Sequence, residues 1–266
     1  MRFKEFLVES EHDQWKPTKL DDKQIIEWCE KNASGFFGQD RPIFRGTRSG
    51  FSGLLNTLNL KRAPQSVNGY YQWWLDNHPA WSAFPKRHAS IIAITDSVTP
   101  ENYGETYLII PADSAKIGIC PADDLWRSFE YSNAYDFTIN DFMRAINNVL
   151  VDGPASNWHE LKKCLEKTTI GNVSKNRSKM GLKDLERELV IDMDMSDSEN
   201  LYSFFEKILD PNHNKFTHST GAIFSAGMEQ EVWISGDVMQ LEIEHMSDEL
   251  KNKLAEMASY DFLLEW

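Results

Sequence analysis

Cysteine is scarce in this chain: Cys29, Cys120 and Cys164 are the only three in 266 residues. They are odd in number and far apart, with no CxxC pair and no Cys/His ligand spacing. That argues against a disulfide framework and against a zinc site. Reduced, structural thiols in a cytosol-like compartment are the expectation. Long apolar runs are missing too. No stretch approaches the roughly 18 residues a membrane span requires, and no secretory apolar region is present. Positive charge is in deficit, with 28 Lys and Arg against 41 Asp and Glu and a formal charge of −13 at pH 7. Such a field repels nucleic-acid phosphates, so general nucleic-acid binding is not expected. A dinucleotide held by one or two arginines in a cleft remains compatible with it.

Several signatures are absent as well. There is no GxxxxGK[ST] loop and no GxGxxG turn, so neither a P-loop nor a Rossmann site is indicated. Trp158-His159-Glu160 lacks the second histidine of a zinc-protease helix. Asp192, Asp194, Asp197 and Glu199 lack the central glycine of an EF-hand and read as a solvated acidic loop. No metal is expected.

What is present is bulk. The chain is 41% hydrophobic, with nine tryptophans and fifteen phenylalanines, enough for a substantial core. Asp21 to Lys31 and Val67 to Asp76 pattern as amphipathic helices. Pro42 to Gly46, Ser90 to Thr95, Thr106 to Ile110 and Ala115 to Cys120 pattern as strands. Helical periodicity then dominates, with candidates at 139–151, 158–167, 182–190 and 200–209. Strand character returns at Ala222 to Phe224, Glu229 to Ser235 and Val238 to Ile243. Gly236-Asp237 between the last two runs suggests a two-residue hairpin. Ser247, followed by Asp248 and Glu249, marks a final helix start.

This divides the chain into a leader or linker at 1–20, a β-rich core at 21–121 and a helical insertion at 122–215. The core returns at 216–246, and a C-terminal helix closes the chain at 247–266. The aromatic group Tyr70, Tyr71, Trp73, Trp74 and Trp81 reads as helix core, with base stacking as the alternative. The basic cluster from Lys175 to Lys183 is either a solvated connection or an anion-binding surface.

Glu229 and Glu231 stand out. On one strand they share a face, because side chains alternate with period two, and two adjacent carboxylates require solvent or a cation. The segment Gly227 to Ile234 resembles the closing motif of the mono-ADP-ribosyltransferases of the arginine–serine–glutamate class. Phe44-Arg45-Gly46 resembles that family's first motif. The hydroxyl-bearing segment Ser90 to Ser97 stands second in order, without the family's compact Ser-Thr-Ser. Asn102-Tyr103-Gly104 and Tyr107 to Pro111 resemble the segments between. The likeness covers residues 40–121 and 216–245.

It implies an α+β fold, a split β-sheet transferase core with a helical insertion, and NAD as a consumed substrate. Glu231 would be the catalytic carboxylate, with Glu229 helping to activate a protein acceptor, an arginine where two glutamates occur. Arg45, Gly46, Ser90, Thr95 and Tyr103 would contact NAD, with Ser90 or Thr95 orienting Glu231. The opening stretch MRFKEFLVES resembles the capsid-targeting leaders of T-even-type phages, Leu7-Val8-Glu9 matching their cleavage triplet; a frayed amphipathic helix is the other reading. The leader resemblance implies an internal virion protein delivered to the host cytoplasm to act on host proteins. NAD hydrolysis, or a non-enzymatic virion protein keeping a degenerate transferase fold, are the alternatives.

Overall fold

A computed structural model describes residues 17–39, 41–48, 51–59, 70–129, 155–169 and 200–258. The leader, the helix candidates at 139–151 and 182–190, and the basic and acidic clusters at 175–183 and 192–199 lie outside them. The architecture is α+β. The helices are α1 (Asp22–Asn32), α2 (Ser34–Phe37), α3 (Tyr70–Asn77), α4 (Trp158–Lys167), α5 (Leu201–Ile208) and α6 (Asp248–Met257). The strands are β1 (Phe44–Thr47), β2 (Gly53–Asn56), β3 (Ile91–Ile94), β4 (Glu105–Pro111), β5 (Lys116–Ile119), β6 (Thr217–Thr220), β7 (Glu231–Ser235) and β8 (Asp237–Glu242). None of the described helices is long and apolar enough to cross a membrane.

The chain divides into two compact units. One comprises Met1–Gln65, Ser82–Leu125 and Lys215–Trp266; the other comprises Ser66–Trp81 and Trp126–Asn214. The first holds all eight strands in a single sheet ordered β2-β8-β4-β1-β3-β7-β5-β6. Every neighbouring pair is antiparallel. β3 is buried along its whole length, as are β7 and most of β4, which is why these runs read as continuous apolar segments rather than alternating ones.

Local chemistry starts the helices of this unit. Asp21 accepts from the Gln24 amide while the Gln24 side chain accepts from the Asp21 N–H, closing a capping box. Ile25 and Cys29, four residues apart on α1, enter the core. Burial pushes the Cys29 thiol up to about 12, so it stays protonated and inert. Ser247 caps α6 by accepting from the Leu250 amide, and Leu250 and Leu254 reach the same core.

Two expectations are corrected. β7 and β8 do not form a hairpin. β7 lies between β3 and β5, and β8 between β2 and β4. The single residue between them, Gly236, has φ of 131°, open to glycine and rare for other residues. Its N–H donates to the Thr57 hydroxyl at 2.7 Å and its carbonyl accepts from the Thr57 N–H at 2.9 Å. Thr57 thus anchors the point where the chain leaves one half of the sheet for the other. Residues 222–224 are not a strand either. β6 precedes them, and Gly221–Ile223 forms a 3-10 turn, with the N–H groups of Gly221 and Ala222 bonded to the carbonyls of Ala115 and Asp113.

In the second unit α3 accompanies α4 and α5. Trp74 is 1% exposed. It stacks on His78 at 4.6 Å between centroids and meets Trp158 and Phe205 edge-on. Tyr70, Tyr71, Trp74 and Trp81 are buried, as helical spacing suggested, and Trp73 is half-buried. Desolvation lowers the pKa of His78 despite Glu206, whose Oε1 is 3.3 Å from Nε2.

Gly118 lies opposite Trp233 in the β5–β7 register. A Cβ there would stand 2.3 Å from the indole ring. Gly118→Ala is expected to cost about 1–3 kcal/mol through overpacking, read from urea unfolding; a wild-type midpoint would show that the ring shifts without penalty.

Candidate active site

β1, β3 and β7 are consecutive strands. Phe44 pairs with Ile94, and Ile94 pairs with Glu231. This transverse row puts Arg45, the next residue of β1, and Glu231, the first of β7, on one pocket. Its floor is Phe44 and Ile92 to Ile94, and Gly46, Thr99, Pro100, Tyr103 and Asp123 complete the lining. The enclosed and mouth space together is about 310 Å³.

The 3-10 turn Thr99–Tyr103 covers the end of β1. Asp96 builds its start by accepting from the Val98 and Thr99 amides at 3.0 and 2.9 Å and from the Thr99 hydroxyl. Partial burial pushes the Asp96 carboxyl up, but these bonds win and hold it below its ordinary value. A Cβ on Gly46 would lie 1.9 Å from the Pro100 carbonyl oxygen. Only glycine lets the turn sit this close beside Arg45. Burial first, then the carboxylates of Asp124, Glu231 and Asp123, push the Tyr103 phenol upward. It therefore stays protonated where it lines the pocket.

Both charged residues are interior: Arg45 is 3% exposed and Glu231 1%. Arg87 Nη1 lies 2.8 Å from Glu231 Oε1. The Leu125 N–H donates to Oε2 at 3.3 Å, and the Cys120 thiol approaches Oε1 at 3.9 Å. The backbone is fixed as well, since the Glu231 N–H donates to the Ala122 carbonyl and its carbonyl accepts from the Cys120 N–H. The chain leaving β5 is thus folded around this one residue.

Of the residues expected from sequence, the pocket gathers Arg45, Gly46, Tyr103 and Glu231. It does not gather Ser90, Thr95 or Glu229. Glu229 is not on the strand. It is exposed in a turn with φ of 53°, so the two glutamates do not share a strand face. The cause is Thr95. Its hydroxyl donates to the Gly227 carbonyl at 2.8 Å and accepts from the Gln230 N–H at 2.9 Å. The Gly227 N–H meanwhile donates to Gln230 Oε1 at 2.5 Å. This tight turn delays the β3–β7 ladder until Glu231.

Thr95 therefore holds the main chain before β7 rather than the carboxylate, and the Ser90 hydroxyl donates to the Lys86 carbonyl at 2.7 Å. The groups at the carboxylate that sequence reasoning missed are Arg87, Cys120 and the Leu125 amide. A basic triplet, Lys86-Arg87-His88, directly before an apolar strand was the available signal for Arg87.

Among the described residues no cluster of three or more His, Cys, Asp or Glu is arranged to hold a metal. No family model, curated protein or solved structure matches the chain.

Thr95→Val removes both bonds that the Thr95 hydroxyl makes to the turn. It is expected to cost about 1–3 kcal/mol and to accelerate hydrogen exchange at the Gln230 amide. Undiminished protection of that amide would contradict the role given to Thr95.

Proposed function

We propose that this protein is a mono-ADP-ribosyltransferase that cleaves NAD and transfers ADP-ribose to a protein side chain. The observation that carries the reading is the convergence of Arg45 and Glu231 on one pocket from strands that are neighbours only through β3.

The chemistry asks each group for something it can supply. The bond between ribose C1′ and the nicotinamide nitrogen breaks, and its electron pair leaves with nicotinamide. Positive charge develops on the sugar, as in glycoside cleavage. The Glu231 carboxylate accepts a bond from the ribose hydroxyl and stabilises that charge, more strongly in a dry site than in water. Arg45, whose fork of donors suits phosphate oxygens, holds the pyrophosphate. Tyr103 donates to the bound dinucleotide. The acceptor nucleophile then bonds to C1′ and loses its proton. Glu229, exposed two residues ahead of Glu231 and outside the pocket lining, keeps the acceptor role that the family resemblance gives it.

A second reading, a binding module without turnover, draws on the depth of Glu231. Its oxygens already face Arg87 and Leu125. Labelled NAD incubated with the wild type, Glu231→Gln and a bacterial lysate separates the readings. The transferase predicts labelled protein and free nicotinamide that Glu231→Gln lowers by at least about 100-fold, the scale of losing a transition-state charge partner. Nicotinamide without labelled protein would mean NAD hydrolysis. Binding with neither product would mean the binding module.

The amide in Glu231→Gln offers one oxygen where two donors converge, so stability is expected to fall by about 1–3 kcal/mol; folded fractions must be matched by circular dichroism. Glu229→Gln is expected to reduce transfer at least tenfold more than NAD hydrolysis, measured in the same assay. Equal losses in both would remove Glu229 from acceptor activation.

A further inference from the structure

We propose that Arg87 is the positioning residue for the Glu231 carboxylate, in the part that a serine or threonine hydroxyl was expected to take. The inference rests on the reading of Glu231 as the group that meets the ribose. It starts from the 2.8 Å contact between Arg87 Nη1 and Glu231 Oε1, in which the side chains are 13% and 2% exposed. So dry a pair is barely screened.

Arg87 is itself fixed. It opens the 3-10 turn Arg87–Ala89 that leads into β3. Its guanidinium carbon lies 5.5 Å from the centroid of the Trp233 ring. Trp233 follows Glu231 by two residues on β7, so the two side chains share a strand face. The Trp233 indole N–H donates to the Pro85 carbonyl at 3.0 Å, and Phe84 stacks on its ring at 5.9 Å and 19°. The result is a closed bracket. β7 carries Trp233, Trp233 fixes the approach to Arg87, and Arg87 returns to Glu231 on β7.

The bracket leaves the carboxylate usable. Arg87 engages one oxygen and the Leu125 amide the other, while each carboxylate oxygen has two acceptor directions. Oε1 also meets the Cys120 thiol, so it is Oε2 that retains a direction for a ligand hydroxyl, with rotation of the group arrested from two sides. Misplacement of such a group by about 1 Å costs on the order of 100-fold in rate.

The test compares Arg87→Met and Arg87→Lys with the wild type in steady-state nicotinamide release from NAD, at matched folded fractions. Positioning predicts that Arg87→Met lowers kcat by about 10- to 100-fold and changes KM for NAD by less than about threefold. Arg87→Lys, which still brings a cation to Oε1, recovers at least about tenfold of that loss. A merely structural pair gives no such split: a loss carried by KM, or a lysine variant no better than methionine, overturns the proposal.

Melting midpoints of Arg87→Met, Glu231→Gln and the double variant provide a readout without turnover. The combined shift is expected to be clearly smaller than the sum of the single shifts, and additive shifts overturn the proposal on their own. If the wild type releases no nicotinamide, the transferase reading fails. The melting cycle then still decides whether Arg87 holds Glu231.

Discussion

A single carboxylate placed inside the protein sets the terms for the first unit. Removing Glu231 from water costs several kcal/mol unless cations and donors replace the lost hydration. The surroundings are built to do so. Arg87 reaches it from the turn before β3, the Leu125 amide from the segment after β5, and Ala122 and Cys120 clamp its backbone. Each of these requires a different stretch of chain to be in register. Leaving the charge without Arg87 would cost about 3–5 kcal/mol, a large share of the margin of a typical domain. A protein with no use for a charge at this place would be better served by an apolar side chain.

The second constraint is the seam in the sheet. β1 and β3 share one register pair, Phe44 with Ile94, whereas β1 and β4 share four. The pocket lies at this seam, because both members of the pair line it. Gly236 makes the same division from the other side, sending β7 and β8 to opposite halves without a loop. The close approach of Gly46 to Pro100 then brings the Thr99–Tyr103 turn over the opening. Arg45, Tyr103 and Glu231 meet because the sheet is incompletely laddered there.

Features governed by nearby residues were legible in the sequence. Asp21 and Ser247 announce their helices through side chains that bond three residues ahead, and 158–167 proved a helix over that span. Apolar runs located β3, β4 and β7 within one or two residues. The pairing of those strands was not legible. Gly236-Asp237 between two β runs looks like a hairpin locally, and only the distant partners of β7 and β8 show otherwise. The turn at Gly227 to Gln230 was equally hidden, because Thr95, more than 130 residues earlier, dictates it. Of the residues that line the pocket, Arg45, Gly46, Tyr103 and Glu231 are ones the motifs had singled out. Arg87 was missed because its partner is 144 positions away, and the basic triplet it belongs to marks a cation without naming what that cation meets.

The most direct test is a crystal structure of Glu231→Gln with NAD bound. The account predicts the nicotinamide ribose within hydrogen-bonding distance of residue 231, the pyrophosphate against Arg45, and Arg87 still beside the substituted side chain. NAD bound away from the seam between β1 and β3, or a pocket left empty at saturating NAD, would contradict it.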